Sequence, residues 1–215
     1  MTSSARVPRS LVWAGAAVFA VAVGLVLLMV VQPSAASSSG SGAPVAAPAE
    51  SSADVGFAQD MSVHHQQAVE MSFIVRDRTD DEDVRRLAYD IINTQANQRG
   101  MMLGWLESWD RPKSADRPPM EWMGHPATPS DGSLMPGMAT DTQLDELRAA
   151  EGRDAEVLFL RLMTVHHRAG ADMARAAADA AGTDEIRSLA AGMDRAQESE
   201  ISLMADMLEA RGARP

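Results

Sequence analysis

The chain has 215 residues, of which 46% are hydrophobic and only 4% aromatic, with fifteen methionines and no cysteine. Such a length holds one or two domains, and scarce aromatics beside plentiful Ala, Leu and Met favour helices over sheets. The absence of thiols excludes disulfide scaffolds, zinc fingers and cysteine nucleophiles, while a formal charge of −11 argues against nucleic acid, which needs a basic face.

Leu11 to Val31 is an uncharged run of 21 residues preceded by Arg6 and Arg9. As a helix it spans roughly 30 Å, about one hydrocarbon core. The basic residues in front of it orient the N-terminus inward and the remainder outward. Residues 1–36 therefore read as an N-terminal transmembrane helix or a signal peptide, with Ser34-Ala35-Ala36 offering small residues for cleavage. Either reading exports the rest of the chain, tethered to the cytoplasmic membrane or secreted after cleavage. Without cysteine there is no lipid attachment point, so any anchor is the helix itself. Residues 37–53 carry one charge among Ser, Gly, Ala and Pro and read as a flexible linker.

From residue 54 to 211 the pattern is helical, and it repeats. Phe57, Met61, Val63, His64, His65 and Met71 return 102 residues later as Phe159, Met163, Val165, His166, His167 and Met173. The offset continues without a gap through Arg85/Arg187, Leu87/Leu189, Gln95/Gln197, Met102/Met204 and Leu106/Leu208. Repeat 1 (54–109) reads as a helix over 54–78, a breaking cluster Thr79-Asp80-Asp81 supplying the next N-cap, and a helix over 82–109. A connecting segment (110–152), rich in Pro, Gly, Ser and Met, ends in a short helix capped by Thr140 or Asp141. Repeat 2 (153–211) reads as a helix over 153–181, Gly182 at the position after the helix, and Thr183 as the cap of the last helix. Two such hairpins predict an all-α fold, a four-helix bundle.

Along the first helix Met61, His64, Ala68 and Met71 share one stripe, and Met163, His166, Gly170 and Met173 share its counterpart. Each stripe offers thioether, imidazole, a small residue and thioether, the small residue leaving room for close helix approach or an ion. His65 and His167 are turned about 100° away. Thioether with neutral imidazole is a soft-to-borderline set that favours Cu(I), with Cu(II) able to use the imidazoles. Iron lacks its Glu-x-x-His pairs, and zinc on four histidines would leave the matched methionines idle. Against this stands plain core packing, because methionine fills irregular gaps, and hydrogen-bonded core histidines. Glu70 and Asp172, or Gln95, Gln98, Gln197 and Glu200, are candidates to orient the imidazoles, and a solvated helix face explains the latter four equally well. In the connecting segment Met120, Met123, His125, Met135 and Met138 read equally as a second copper site or as an apolar plug anchored by Trp122.

The doubled segments Met61-Ser-Val-His-His-Gln-Gln-Ala68-Val-Glu-Met71 and Met163-Thr-Val-His-His-Arg-Ala-Gly170-Ala-Asp-Met173, with Met-Pro-Gly-Met at 135–138, resemble a bacterial exported family, domain of unknown function 305. The resemblance covers about residues 54–211. It implies a ferritin-like four-helix bundle and an extracytoplasmic location. Because some members are associated with copper binding and copper tolerance, it also implies His64, His65, Met71, His166, His167 and Met173 as ligands, beside Met61 and Met163 from the stripes.

No P-loop, GxSxG, HExxH or GxGxxG motif occurs, so no catalysis is expected. The expected role is copper sequestration or transfer outside the cytoplasmic membrane, with a copper-donor or copper-acceptor protein as partner and homo-oligomers as a further form. The alternative is a helical interaction module at the membrane surface, whose Met-rich groove takes a partner helix.

Overall fold

The computed structural model describes residues 46–124 and 129–214. The expected anchor or signal helix at 1–36, and residues 37–45 of the linker, lie outside the described residues. The described chain is all-helical and without strands: α1 (Ala53–Arg76), α2 (Glu82–Ser108), a 3-10 turn (Glu121–Met123), α3 (Asp141–Ala149), α4 (Gly152–Ala180) and α5 (Asp184–Ala210). None of these helices is long and apolar enough to cross a membrane. α1 packs along α2 and α4 along α5, and the two hairpins meet through α1 and α4.

Local chemistry sets the helix ends. The Ser52 hydroxyl accepts from the Val55 N–H at 3.3 Å, the Asp81 carboxylate from Val84 at 2.9 Å and the Thr183 hydroxyl from Ile186 at 3.4 Å, each satisfying an orphan donor of a first turn. Thr140 and Gln143 form a reciprocal capping box on α3. The duplicated arginines serve the opposite ends. Arg85 donates to the carbonyls of Arg76 and Thr79, and Arg187 donates to that of Ala181 at 2.7 Å. Both place positive charge at the negative end of the preceding helix. Gly182 differs from expectation. It has no left-handed φ, and α4 ends instead on Ala181 in extended backbone, leaving the Gly182 N–H free to donate to Asp54 at 2.9 Å.

That last contact is one of a matched pair. Asp54, in the first turn of α1, accepts from the N–H groups of Gly182 and Thr183 and from the Thr183 hydroxyl, at 2.7–2.9 Å. Its counterpart 102 residues on, Glu156 near the start of α4, accepts from the Thr79 hydroxyl at 2.5 Å and from Arg211 at 2.7 Å. Each hairpin thus begins by gripping the turn of the other, as an antiparallel α1–α4 pair requires.

The connecting segment docks where the repeat breaks. Trp122 lies over Gly56 and edge-on to Phe57, with ring centroids 6.0 Å apart. The buried Asp60 carboxylate accepts from the Met120 N–H at 2.8 Å and from the Trp122 indole at 2.9 Å. Gln67 clamps the Ala139 backbone through both of its amide atoms, at 2.7 and 2.8 Å. Gly137, at φ +80°, rests against Ala169 and the Val165 carbonyl of α4, where a side chain would collide. The repeat partners of Gly56, Asp60 and Gln67 are Leu158, Leu162 and Ala169. Only one repeat carries the polar anchors, because a single connecting strap crosses a two-fold scaffold.

The core falls into two apolar clusters. One holds Ala68 and Met71 of α1 with Phe159, Leu160 and Met163 of α4, together with Ile91, Leu147 and Met204. The other holds Phe57 and Met61 with Met173 and Ala174, together with Met102, Met193 and Met120. Along α1 and along α4 alike, the histidine pair lies between the stretches that feed the two clusters, as a polar layer inside an apolar interior.

A buried histidine layer between α1 and α4

His64, His65, His166 and His167 are all at most 1% exposed. The structure brings His64 and His166 face to face, with ring centroids 3.7 Å apart and planes tilted by 32°. His65 and His167 point outward from this pair, toward α2 and α5 respectively. His65 Nε2 lies 2.9 Å from the Gln98 amide oxygen, and His167 Nε2 lies 2.6 Å from a Glu200 carboxylate oxygen. His166 Nε2 donates to the His64 carbonyl at 3.1 Å.

The His64 carbonyl and the Glu200 carboxylate only accept, so His166 and His167 each carry a proton on Nε2, while the Gln98 amide presents its oxygen to His65 Nε2. The Nδ1 atoms of His65, His166 and His167 have no hydrogen-bond partner, and neither nitrogen of His64 has one. The amide oxygens of Gln95 and Gln197, 4% and 5% exposed, are also unpartnered. Orphan polar atoms of this kind each cost about 1–3 kcal/mol and are rare in native interiors. Here they repeat across the internal two-fold, and nearly all are acceptors.

Protons do not fill the gap. Burial, followed by the charge of neighbouring imidazoles, pushes the His64 and His166 pKa values well below the ordinary 6.5. Burial brings His65 to about 3, although its Gln98 hydrogen bond acts in the opposite direction. His64, His65 and His166 are therefore neutral at ordinary pH and carry buried lone pairs.

Met61, Met71, Met163 and Met173 are fully buried. Met61 shares its cluster with Met173, and Met71 shares the other with Met163, so thioethers from both helices flank the imidazoles on either side. Among the described residues no three His, Asp or Glu side chains are arranged to hold an ion by themselves. An ion in this layer would need methionine sulfur beside imidazole nitrogen.

Three expectations about the surroundings change. The space at Gly170 is not open, because the Gln197 amide oxygen lies where a Cβ would stand. Gln95 and Gln197 are buried against the layer and do not form a solvated face. Glu70 and Asp172 do not reach the histidines: Glu70 pairs with Arg148 at 2.5 Å and Asp172 with Arg175, both at the exposed surface. Within the connecting segment Met120 is buried in the Met61 cluster, with Trp122 and Met123 packed against it, which is plug-like packing. Met135 and Met138, part of the strap itself, are buried, and His125 lies outside the described residues. The position-matched Asp54 and Glu156, Asp60 and the Gln67 clamp were not singled out in the sequence. Asp60 and Gln67 were nonetheless visible as breaks in the duplication.

Residues 54–208 match the family model described as Domain of unknown function (DUF305). The chain matches no curated protein. Among solved structures it is similar to a Streptomyces coelicolor protein described as a candidate secreted DUF305 protein, with 58% identity, TM-score 0.72, and 77% of this chain and 98% of that one covered. A DUF305 fragment from Deinococcus radiodurans aligns at 32% identity with TM-score 0.61, covering 74% and 96%. CopM in its Cu(II)-bound form aligns at 25% identity with TM-score 0.60, covering 73% and 96%.

Proposed function

Since the chain belongs to the DUF305 family, whose description leaves the role open, we propose that it binds copper in the histidine layer and sequesters or hands on the ion outside the cytoplasmic membrane. The observation that carries this reading is the buried set of unpartnered imidazole nitrogens, those of His64, His65 and His166 held neutral by desolvation, with methionines of both helices on either side. Neutral imidazole is the form that ligates metal. Thioether beside it selects soft ions, Cu(I) foremost. The ligands are His64, His65, His166 and His167 with Met61, Met71, Met163 and Met173. A four-histidine zinc site is less suited, because it would leave the matched buried methionines idle. The similarity to a protein solved with Cu(II) bound supports the same choice.

Export is supported by the apolar run Leu11–Val31 and by the likeness to a candidate secreted protein. The role is binding and delivery, with a copper-donor or copper-acceptor protein as partner, and no chemistry on a substrate. The test titrates the full chain with Cu(I), Cu(II) and Zn(II) against competing chelators, beside H64N/H166N and, as a surface control, M101A. One or two Cu(I) ions bound stoichiometrically and weakened more than about a hundredfold in H64N/H166N only are expected. Equal affinities in all three proteins, or no stoichiometric binding, would overturn the reading.

A further inference from the structure

The two halves of the layer differ in the partner that each outer histidine meets. His65 faces the amide of Gln98, and His167 faces the carboxylate of Glu200. An amide can turn over and donate as readily as accept, so Gln98 tolerates either tautomer of His65. A carboxylate only accepts, so Glu200 fixes an N–H at His167 Nε2, and Nδ1 is left as the nitrogen that no protein group meets. Among the described residues Glu200 makes no ion pair other than this contact. It is only about a quarter exposed, at 23%, while the imidazole it touches is fully buried, so solvent screens the charge only in part.

Resting on the copper reading above, we infer that Glu200 is a positioning residue that makes the two half-sites inequivalent and sets the preference between Cu(II) and Cu(I). A metal on His167 Nδ1 would sit roughly 6 Å from the carboxylate, given a metal–nitrogen bond of about 2 Å. A fixed negative charge attracts a divalent ion twice as strongly as a monovalent one. Hydrogen bonding to the carboxylate also makes His167 the more basic donor. The His167 half is thus the seat for Cu(II). The His65 half, with a neutral partner, takes Cu(I) without that bias.

The test measures Cu(II) and Cu(I) affinities of the full chain against chelators for wild type, E200Q, Q98E and Q98E/E200Q. In E200Q the Cu(II) affinity falls about tenfold and that for Cu(I) less than about threefold. Q98E raises Cu(II) affinity, and the double swap restores it by moving the charge to the other half. Nitrogen-15 NMR of the metal-free protein supplies a reading independent of binding: His167 is a single Nε2–H tautomer in wild type and a mixture in E200Q. A merely structural role would lower both affinities together and would not be rescued by Q98E/E200Q, and that result overturns the inference. Wild type binding tightly with E200Q indistinguishable from it overturns the inference alone, whereas wild type binding neither ion overturns the copper reading with it. If E200Q does not fold, an unchanged Cu(II) affinity in Q98E is decisive against the inference.

Discussion

Burial strips the inner histidines of their protons before any ligand arrives. The pKa values of His64 and His166 lie well below 6.5 and that of His65 near 3, with desolvation the largest cause in each. In the unfolded chain the same imidazoles titrate near 6.5. Below that pH the unfolded state therefore binds protons that the folded state refuses, and stability is lost as pH falls, down to the folded values. The urea midpoint of the metal-free protein should be level above about pH 7 and decline below about 6.5, by at most about 1.4 kcal/mol per pH unit for each histidine. H65Q, which removes one such group, should show a shallower decline. A flat profile down to about pH 4.5 would contradict the burial of neutral imidazoles. The same linkage makes acid compete with metal, since protonated imidazole has no lone pair to give.

At the scale of the elements, the hairpins are held in register by Asp54 and Glu156 as much as by apolar contact. The Asp54 carboxyl is pushed up by burial, but the Thr183 hydroxyl and the Gly182 and Thr183 backbone donors outweigh that effect and hold it below the ordinary value. Glu156 joins Thr79 to Arg211, which also reaches Asp81 at 2.9 Å. D54A and E156A should each destabilise by about 1–3 kcal/mol in urea unfolding, because each leaves donors in a turn without a partner. Standing at the two ends of the α1–α4 pair, their effects should add to within about 0.5 kcal/mol. Losses under about 0.3 kcal/mol for both would mean that apolar packing alone sets the docking. The strap differs, having a single anchor set on α1. Its crossing points were readable as the three positions where polar or small residues in one repeat face apolar partners in the other.

For the whole molecule, buried acceptors that no protein donor meets are positions at which a bound ligand adds stability. A ligand that binds only the folded state adds stability in proportion to the logarithm of its excess. With buffered Cu(I) at about 100 times the dissociation constant, unfolding should be harder by about 2.7 kcal/mol, seen as a rise in Tm. H64N/H166N should gain nothing. An equal rise in both proteins would place the ion elsewhere, with the Met-rich connecting segment the first alternative.

The duplication, the helical character and the candidate residues were legible in the amino-acid sequence, because helix periodicity and a fixed 102-residue offset are properties of linear order. His64, His65, His166 and His167 could be named on those grounds, and so could their pairing with methionines on the same stripes. Which lone pairs end up bare was a matter for tertiary structure alone. It depends on α1 and α4 meeting antiparallel so that His64 stacks on His166, on Gln98 and Glu200 reaching in from α2 and α5, and on Gln197 filling the notch at Gly170. Those outcomes follow from which helices touch and how deeply each atom is removed from water. Spacing along a chain fixes the face on which a side chain lies, but only packing decides what, if anything, faces it.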